Sequence, residues 1–316
     1  MAESAPSPAA DGPATAAPPP KTWIPLESNP RVITAFARRL GMPRALAFHD
    51  VLGLDDELLS MLPRPVHSLI LLFPITAATE AHAKGRDAEL AARGAPEAPE
   101  GVFYMRQTVG NACGTIAMLH ALGNCPREVR EGGAPRESGG NGGGDDGTDG
   151  GDGGDERSFL PRFFAATASL TPAERGAFLE RPPPGAPDLE AAHGRAAERG
   201  DTAAPGAGED VDLHFVALIP AQGRVWELDG RRRAPVDHGP CAGEGEGEEG
   251  EGGEEGGGDG DDAPPPSFLA AAACVAREYM AREEAAGGSI AFNLIALGPA
   301  DEDEEDEKEM GAGGEA

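Results

Sequence analysis

Two stretches of this chain are apolar on both faces. PVHSLILLF (65–73) is a near-continuous run, and LHFVALI (213–219) is interrupted only by His214. A strand whose odd and even residues are both apolar has no wet face, so it belongs in a sheet covered on both sides. VFYMR (102–106), RVWELD (224–229) and IAFNLIAL (290–297) are further strand candidates. Pro220-Ala221-Gln222-Gly223 joins the 213–219 and 224–229 runs as a hairpin, with Gly223 at the turn. Apolar patterning predicts helices over 29–40, 77–93, 112–122, 158–168, 172–179 and 267–284. Asn29-Pro30 reads as an N-cap followed by a first-position proline, with Gly41 as the stop. Thr171-Pro172-Ala173-Glu174 has the form of a capping box. These elements predict an α/β fold of α/β/α layers, a central, mostly antiparallel sheet flanked by helices.

The remaining chain is of a different kind. Net charge is −29, and three short tracts carry most of it: residues 242–262 contribute −10, 131–157 contribute −6 and 301–309 contribute −7. Gly/Asp/Glu tracts bury too little apolar surface to offset ordering entropy, so they are expected to be disordered. The expected organisation is a Pro/Ala-rich tail over 1–20 and one domain over 21–299. Acidic insertions at 131–157 and 241–266 interrupt that domain, and an acidic tail follows over 300–316. Such insertions are tolerated because loop-closure entropy grows only logarithmically with length. Residues 180–210 read as a long Pro/Gly-rich connection, of the kind that serves as a lid or a linker. No basic stripe is present to bind nucleic acid, since clustered basicity is confined to Arg231, Arg232 and Arg233. The longest apolar run, about eight residues, is far short of the roughly 20 that span a bilayer. The N-terminus lacks the charged-then-apolar order of a signal peptide. The expectation is a monomeric cytoplasmic protein, with a nuclear pool also allowed, whose thiols are reduced.

The four cysteines are Cys113, Cys125, Cys241 and Cys274, and no CxxC spacing suggests a zinc ribbon or a redox pair. Cys113 stands where the polar stretch QTVGNACG runs into the apolar helix of 112–122. With Asn111 as the expected N-cap, the thiol falls in the first helical turn, where free N–H groups and the helix dipole favour a thiolate. A nucleophile needs a base, and the base needs an orienting group. His214 on one hairpin strand and Asp229 at the end of the next are placed to meet, and Gln107 carries an amide able to donate to an oxyanion. The ordinary readings are an inert core cysteine, a core histidine and a turn aspartate, so spacing alone names no substrate. His120 reads as core or surface filler, His238 as solvated, and Trp226 as packing beside the hairpin.

Longer stretches narrow this further. WIPLESNP (23–30), DELLSMLPRPVHSLILLFPIT (56–76), YMRQTVGNACGTIAMLHAL (104–122), VDLHFVALI (211–219), WELDGR (226–231) and FNLIALG (292–298) run in one order along the chain. Together they closely resemble the ubiquitin carboxyl-terminal hydrolases, in the short form of that family. The resemblance implies a knotted, papain-like thiol hydrolase fold that needs no metal or cofactor. It implies Cys113 as nucleophile, His214 as general base and acid, Asp229 as orienting carboxylate and Gln107 as oxyanion donor. It further implies ubiquitin contacts at Pro25, Leu26, Glu27, Ser28, Asn29, Phe292 and Asn293, and a crossover loop over the active site at 180–210. The implied substrates are ubiquitin bearing small or unstructured C-terminal adducts, with modifiers such as NEDD8 as further partners. Two rival classes stand beside this reading. One is a slow or inactive ubiquitin-binding protein that stabilises monoubiquitin, and the other is an acidic scaffold built on the charged tracts. The tracts themselves read as solubilising padding, or as a field that steers the basic surface of ubiquitin.

Overall fold

The computed structural model of the chain describes residues 21–126, 159–186, 189–200, 211–242 and 264–301. The acidic tracts, the residues 1–20 and the final fifteen residues lie outside the described residues, apart from the tracts' edges. The described residues contain a six-stranded sheet in the order β1-β6-β2-β3-β4-β5, with every pairing antiparallel. Its strands are β1 (Leu46–Asp50), β2 (Ser68–Pro74), β3 (Leu213–Ala221), β4 (Arg224–Leu228), β5 (Val236–Pro240) and β6 (Asn293–Pro299). The helices are α1 (Pro30–Arg39), α2 (Asp56–Ser60), α3 (Ala77–Ala92) and α4 (Cys113–Gly123), followed by α5 (Phe159–Thr167), α6 (Pro172–Glu180), α7 (Leu189–Ala197) and α8 (Phe268–Ala285).

The two-faced strands sit at the centre, as their patterning requires. β2 lies between β6 and β3, and all seven of its residues are buried. Ile70 and Leu72 join a core with residues of α1, α4, α5 and α7, whereas Leu69, Leu71 and Phe73 join a second core with α8. β3 divides its side chains in the same way, Phe215 and Ala217 to one face and Val216 and Leu218 to the other. The layering is therefore α/β/α. In the β3–β4 hairpin both central turn residues, Gln222 and Gly223, have positive φ, which matches the right-handed twist of the paired strands.

The expected local signals are realised at several helix ends. Asn29 Oδ1 accepts the Arg31 and Val32 N–H groups at the start of α1. Thr171 and Glu174 cap each other at the start of α6.

Other expectations are corrected. Residues 102–106 form no strand, because their backbone partners lie elsewhere. Phe103 N and O bond the Asn124 side chain, Met105 N bonds His120 Nε2, and Arg106 N bonds Pro172 O. The connection at 180–210 contains α7, which buries Leu189, Ala192, His193, Ala196 and Ala197. β6 begins at Asn293, leaving Ile290 outside the sheet and 93 % exposed. β1, β5 and α2 had no forecast.

Candidate active site

α4 starts at Cys113 with Ala112 in the cap position and no side-chain cap. Asn111 is not the expected N-cap, since its φ of 58° is left-handed and turns the chain into the helix. The segment before Cys113 is fixed by the N-terminal stretch instead: Trp23 N donates to Gly110 O at 2.9 Å, and Gly110 N donates to Lys21 O at 2.9 Å. Without a capping side chain, first-turn N–H groups stay available, and the Cys113 thiol accepts the Gly114 N–H and that of Phe215 on β3.

His214 lies near the start of β3, paired across from Phe73, whose ring meets it edge-on with centroids 5.7 Å apart. Its Nε2 is 2.7 Å from Asp229 Oδ1. A carboxylate can only accept, so Nε2 carries the proton and Nδ1 is left for the hydrogen bond to the Cys113 thiol. Asp229, one residue past β4, also accepts the Arg231 N–H at 2.9 Å, and the Arg232 guanidinium stands 3.5 Å from its second oxygen. Tyr104 Oη braces this turn at 2.7 Å from Asp229 O and 2.5 Å from Arg232 O.

The three groups set one another's charge. Burial works against ionisation of His214, but the Asp229 charge and hydrogen bond, reinforced by Cys113, raise its pKa to about 10. Burial likewise works against Asp229, yet His214, the Arg231 N–H and Arg232 hold it at about 2. Burial pushes the Cys113 thiol up, and the hydrogen bond and charge of His214, with the two backbone N–H groups, bring it below its ordinary value. The arrangement is that of a thiolate–imidazolium pair backed by a buried carboxylate.

Gln107 is held close by backbone contact. Its N–H donates to Gly230 O at 2.8 Å, and a Cβ on Gly230 would stand only 2.9 Å from Ile116 and 3.0 Å from Gln107 Cβ. Glycine at 230 is what allows the end of the β4 hairpin to approach that near. The Gln107 side-chain Nε2 donates to Val109 O at 3.0 Å, which leaves its second N–H available.

Cys113 lines a cleft of about 340 Å³ together with Pro25, Leu26, Glu27 and Ser28, the β2 and β3 residues Leu72, Leu213 and Phe215, and Ala197 of α7. Four of the expected contact residues thus share a cavity with the thiol. Asn29 caps α1 instead of lining this cleft, and Asn293 meets it indirectly, accepting the Ser28 hydroxyl at 2.6 Å. Phe292 is half-buried against the α8-side core.

Sequence reading missed two features. His238, expected to be solvated, is largely buried with Nε2 2.8 Å from the buried Glu227 carboxylate. His193 and Thr115, which carry no motif, hydrogen-bond at 2.7 Å two residues past Cys113. His120 is core, as one reading had it: it takes the Met105 N–H on Nε2 and lies 3.2 Å from Leu228 O through Nδ1.

Comparison with known proteins matches this arrangement to a family. The family described as "Ubiquitin carboxyl-terminal hydrolase, family 1" matches residues 23–138 and 146–250. Ubiquitin carboxyl-terminal hydrolase 3 of Arabidopsis thaliana is 40% identical over 220 residues, covering 69% of this chain and 80% of that one. A ubiquitin carboxyl-terminal hydrolase of Aplysia californica is 39% identical over 217 residues, covering 69% and 86%. Among solved structures, Trichinella spiralis UCH37 bound to ubiquitin vinyl methyl ester superposes with a TM-score of 0.54 over 92% of this chain and 87% of that one. At 22% identity that likeness is one of fold. The chain belongs to the ubiquitin carboxyl-terminal hydrolase family, peptidase family C12.

Proposed function

We propose that this protein is a cysteine-type deubiquitinating hydrolase that releases small or unstructured adducts from the C-terminus of ubiquitin. The observation that carries the reading is the continuous chain Cys113–His214–Asp229, hydrogen-bonded and charged, at the wall of an open cleft. The Cys113 thiolate attacks the carbonyl carbon of the terminal glycine. Negative charge moves to the carbonyl oxygen, where the Cys113 N–H and the free Gln107 side-chain N–H donate to it. His214 gives its Nδ1 proton to the leaving amine or thiol, which yields a thioester on Cys113. His214 then takes a proton from water, and the resulting hydroxide displaces the thiolate to release ubiquitin's carboxylate. Asp229 keeps the imidazole in one tautomer and stabilises its charge.

Ubiquitin as partner rests on the names of the matched relatives, and the modifier NEDD8 is a second candidate. Pro25, Leu26, Glu27 and Ser28 supply the cleft wall for the incoming tail. Phe292 and Asn293 extend the contact surface beyond it. A chain with four cysteines and no CxxC spacing suits the reducing cytoplasm, and we read the protein as a monomeric enzyme of ubiquitin-dependent protein turnover.

Incubation with ubiquitin bearing a fluorogenic C-terminal amide tests the reading. Hydrolysis is expected, with a loss of about 10⁴-fold or more in Cys113→Ala. Tight binding of ubiquitin with no turnover by the wild type would replace the hydrolase with a ubiquitin reservoir.

A further inference from the structure

One buried histidine outside the catalytic chain ties together the elements that surround Cys113. His193 lies in α7 and is 1 % exposed. Its Nε2 is 2.6 Å from the Ile24 carbonyl oxygen and its Nδ1 is 2.7 Å from the Thr115 hydroxyl. A carbonyl oxygen only accepts, so Nε2 bears the ring proton and Nδ1 accepts the threonine proton. Both nitrogens are thereby satisfied. The ring lies against Trp23 at a centroid distance of 4.5 Å and meets the edge of Phe36 at 6.1 Å. Glu190 of the same helix acts on the ring by its charge, and it pairs with Lys21 at 2.7 Å on the surface.

The three elements so joined are walls of one cleft. Thr115 stands two residues past Cys113 in α4. Ile24 immediately precedes Pro25, and Ala197, one helical turn after His193, faces the same cavity as Cys113. α7 otherwise meets α1 and the core through apolar side chains, Leu189 and the small Ala192, Ala196 and Ala197, none of which forms a directional bond. His193 is the buried polar side chain of α7, and it hydrogen-bonds to both other walls of the cleft.

We propose that His193 is a specificity-determining positioning residue, which clamps α7 against the start of α4 and against Ile24 and so limits the size of the leaving group that can pass Cys113. The inference rests on the hydrolase reading above. With the clamp intact, α7 stays closed and a folded leaving group reacts only from the rare open arrangement. Its kcat/KM then scales with the open fraction, while a short amide reacts from either state.

The experiment compares kcat/KM for ubiquitin carrying a short C-terminal amide with that for ubiquitin fused to a folded domain. His193→Ala is expected to raise the fusion-to-amide ratio about tenfold, and Thr115→Val, which removes one bond and keeps the ring, about threefold. An unchanged ratio, with both rates falling together, would overturn the clamp and leave His193 a packing residue. Should His193→Ala not fold, Thr115→Val alone decides. Amide hydrogen exchange reads the clamp without activity. Faster exchange confined to residues 190–197 and 24–28 supports it, and exchange that is unchanged or accelerated throughout the protein overturns it. A wild type that fails to hydrolyse the short amide counts against the hydrolase, and the exchange result still decides the clamp.

Discussion

His214 and His193 are both buried, and both bond side chains in the first turns of α4, the one at Cys113 and the other at Thr115. Their surroundings favour different charge states, neutral for His193 and cationic for His214. Burial lowers the pKa of each ring. His193 faces a carbonyl and a hydroxyl, the Ile24 bond only partly compensates, and its pKa falls to about 4. His214 faces Asp229, and its pKa climbs to about 10. The Asp229 carboxylate decides between a cationic ring and a neutral one at the same depth. The lesson is that burial alone assigns no role to a histidine; the second nitrogen's partner does.

The comparison breaks most sharply at Asp229. Asp229→Asn should leave His214 without its counter-charge, lower kcat by about 10⁴-fold, and move the pH midpoint of Cys113 alkylation upward towards the ordinary thiol value. An alkylation midpoint that stays put would mean that Asp229 does not set the charge of the pair.

Stability against pH should separate the two rings next. His193 and His120 each have a folded pKa of about 4, while an unfolded histidine titrates near 6.5. Between those values the unfolded chain binds more protons, so stability is fully present above about pH 6.5 and is lost as pH falls towards 4, by up to about 3 kcal/mol per ring. His214 behaves in the opposite sense, its stabilisation being lost as pH rises through about 10. The lowered pKa of the Cys113 thiol acts in the opposing sense, so the pair's alkaline loss is smaller than that of an isolated histidine. Urea midpoints measured from pH 4 to 10 should show both limbs. His193→Phe should remove about half of the acid limb, the share of one ring, and leave the alkaline one.

Gly230→Ala tests the catalytic side at smaller scale. The new methyl must displace Ile116 or Gln107, which should lower kcat about tenfold to a hundredfold and cost about 1–3 kcal/mol of stability. A thermal melt beside the rate assay distinguishes the two effects. The smallest change is expected at the rim of the clamp. Lys21 and Glu190 are 29% and 49% exposed, so Lys21→Met should alter the urea midpoint by less than about 1 kcal/mol.

Much of this was legible in the chain itself. Cys113, His214 and Asp229 meet because a hairpin and a helix start bring them together, Gln107 bonds the end of that hairpin at Gly230, and the hairpin turn and the apolar run of α4 were local signals. The apolar runs of β2 and β3 announced a sheet with two covered faces, and Asn29 and Thr171 announced their helices. The failures have physical causes. Residues 102–106 look like a strand, but Asn124 and His120 side chains take backbone groups that a neighbouring strand would have taken. α7 (LEAAHGRAA) buries Leu189, Ala192, His193, Ala196 and Ala197 at helical spacing, but three of the five are alanines, so its apolar face is faint beside the Pro- and Gly-rich sequence around it. Asn111 has a good capping side chain, but its backbone is committed to the turn that Gly110 and Trp23 impose.

The order of strands in the sheet has a consequence for how the protein is made. β6, the last strand, pairs between β1 and β2, which precede it in the chain by more than two hundred residues. A ribosome adding roughly 5–20 residues per second needs on the order of 10–50 s to reach residue 299 after it has finished β2. Throughout that interval β2 has no partner on its β6 side, and β1 has none at all within the sheet. Newly made chains should thus depend on chaperone cover until the final strand arrives, and truncation just before β6 should yield aggregates in place of a smaller folded unit.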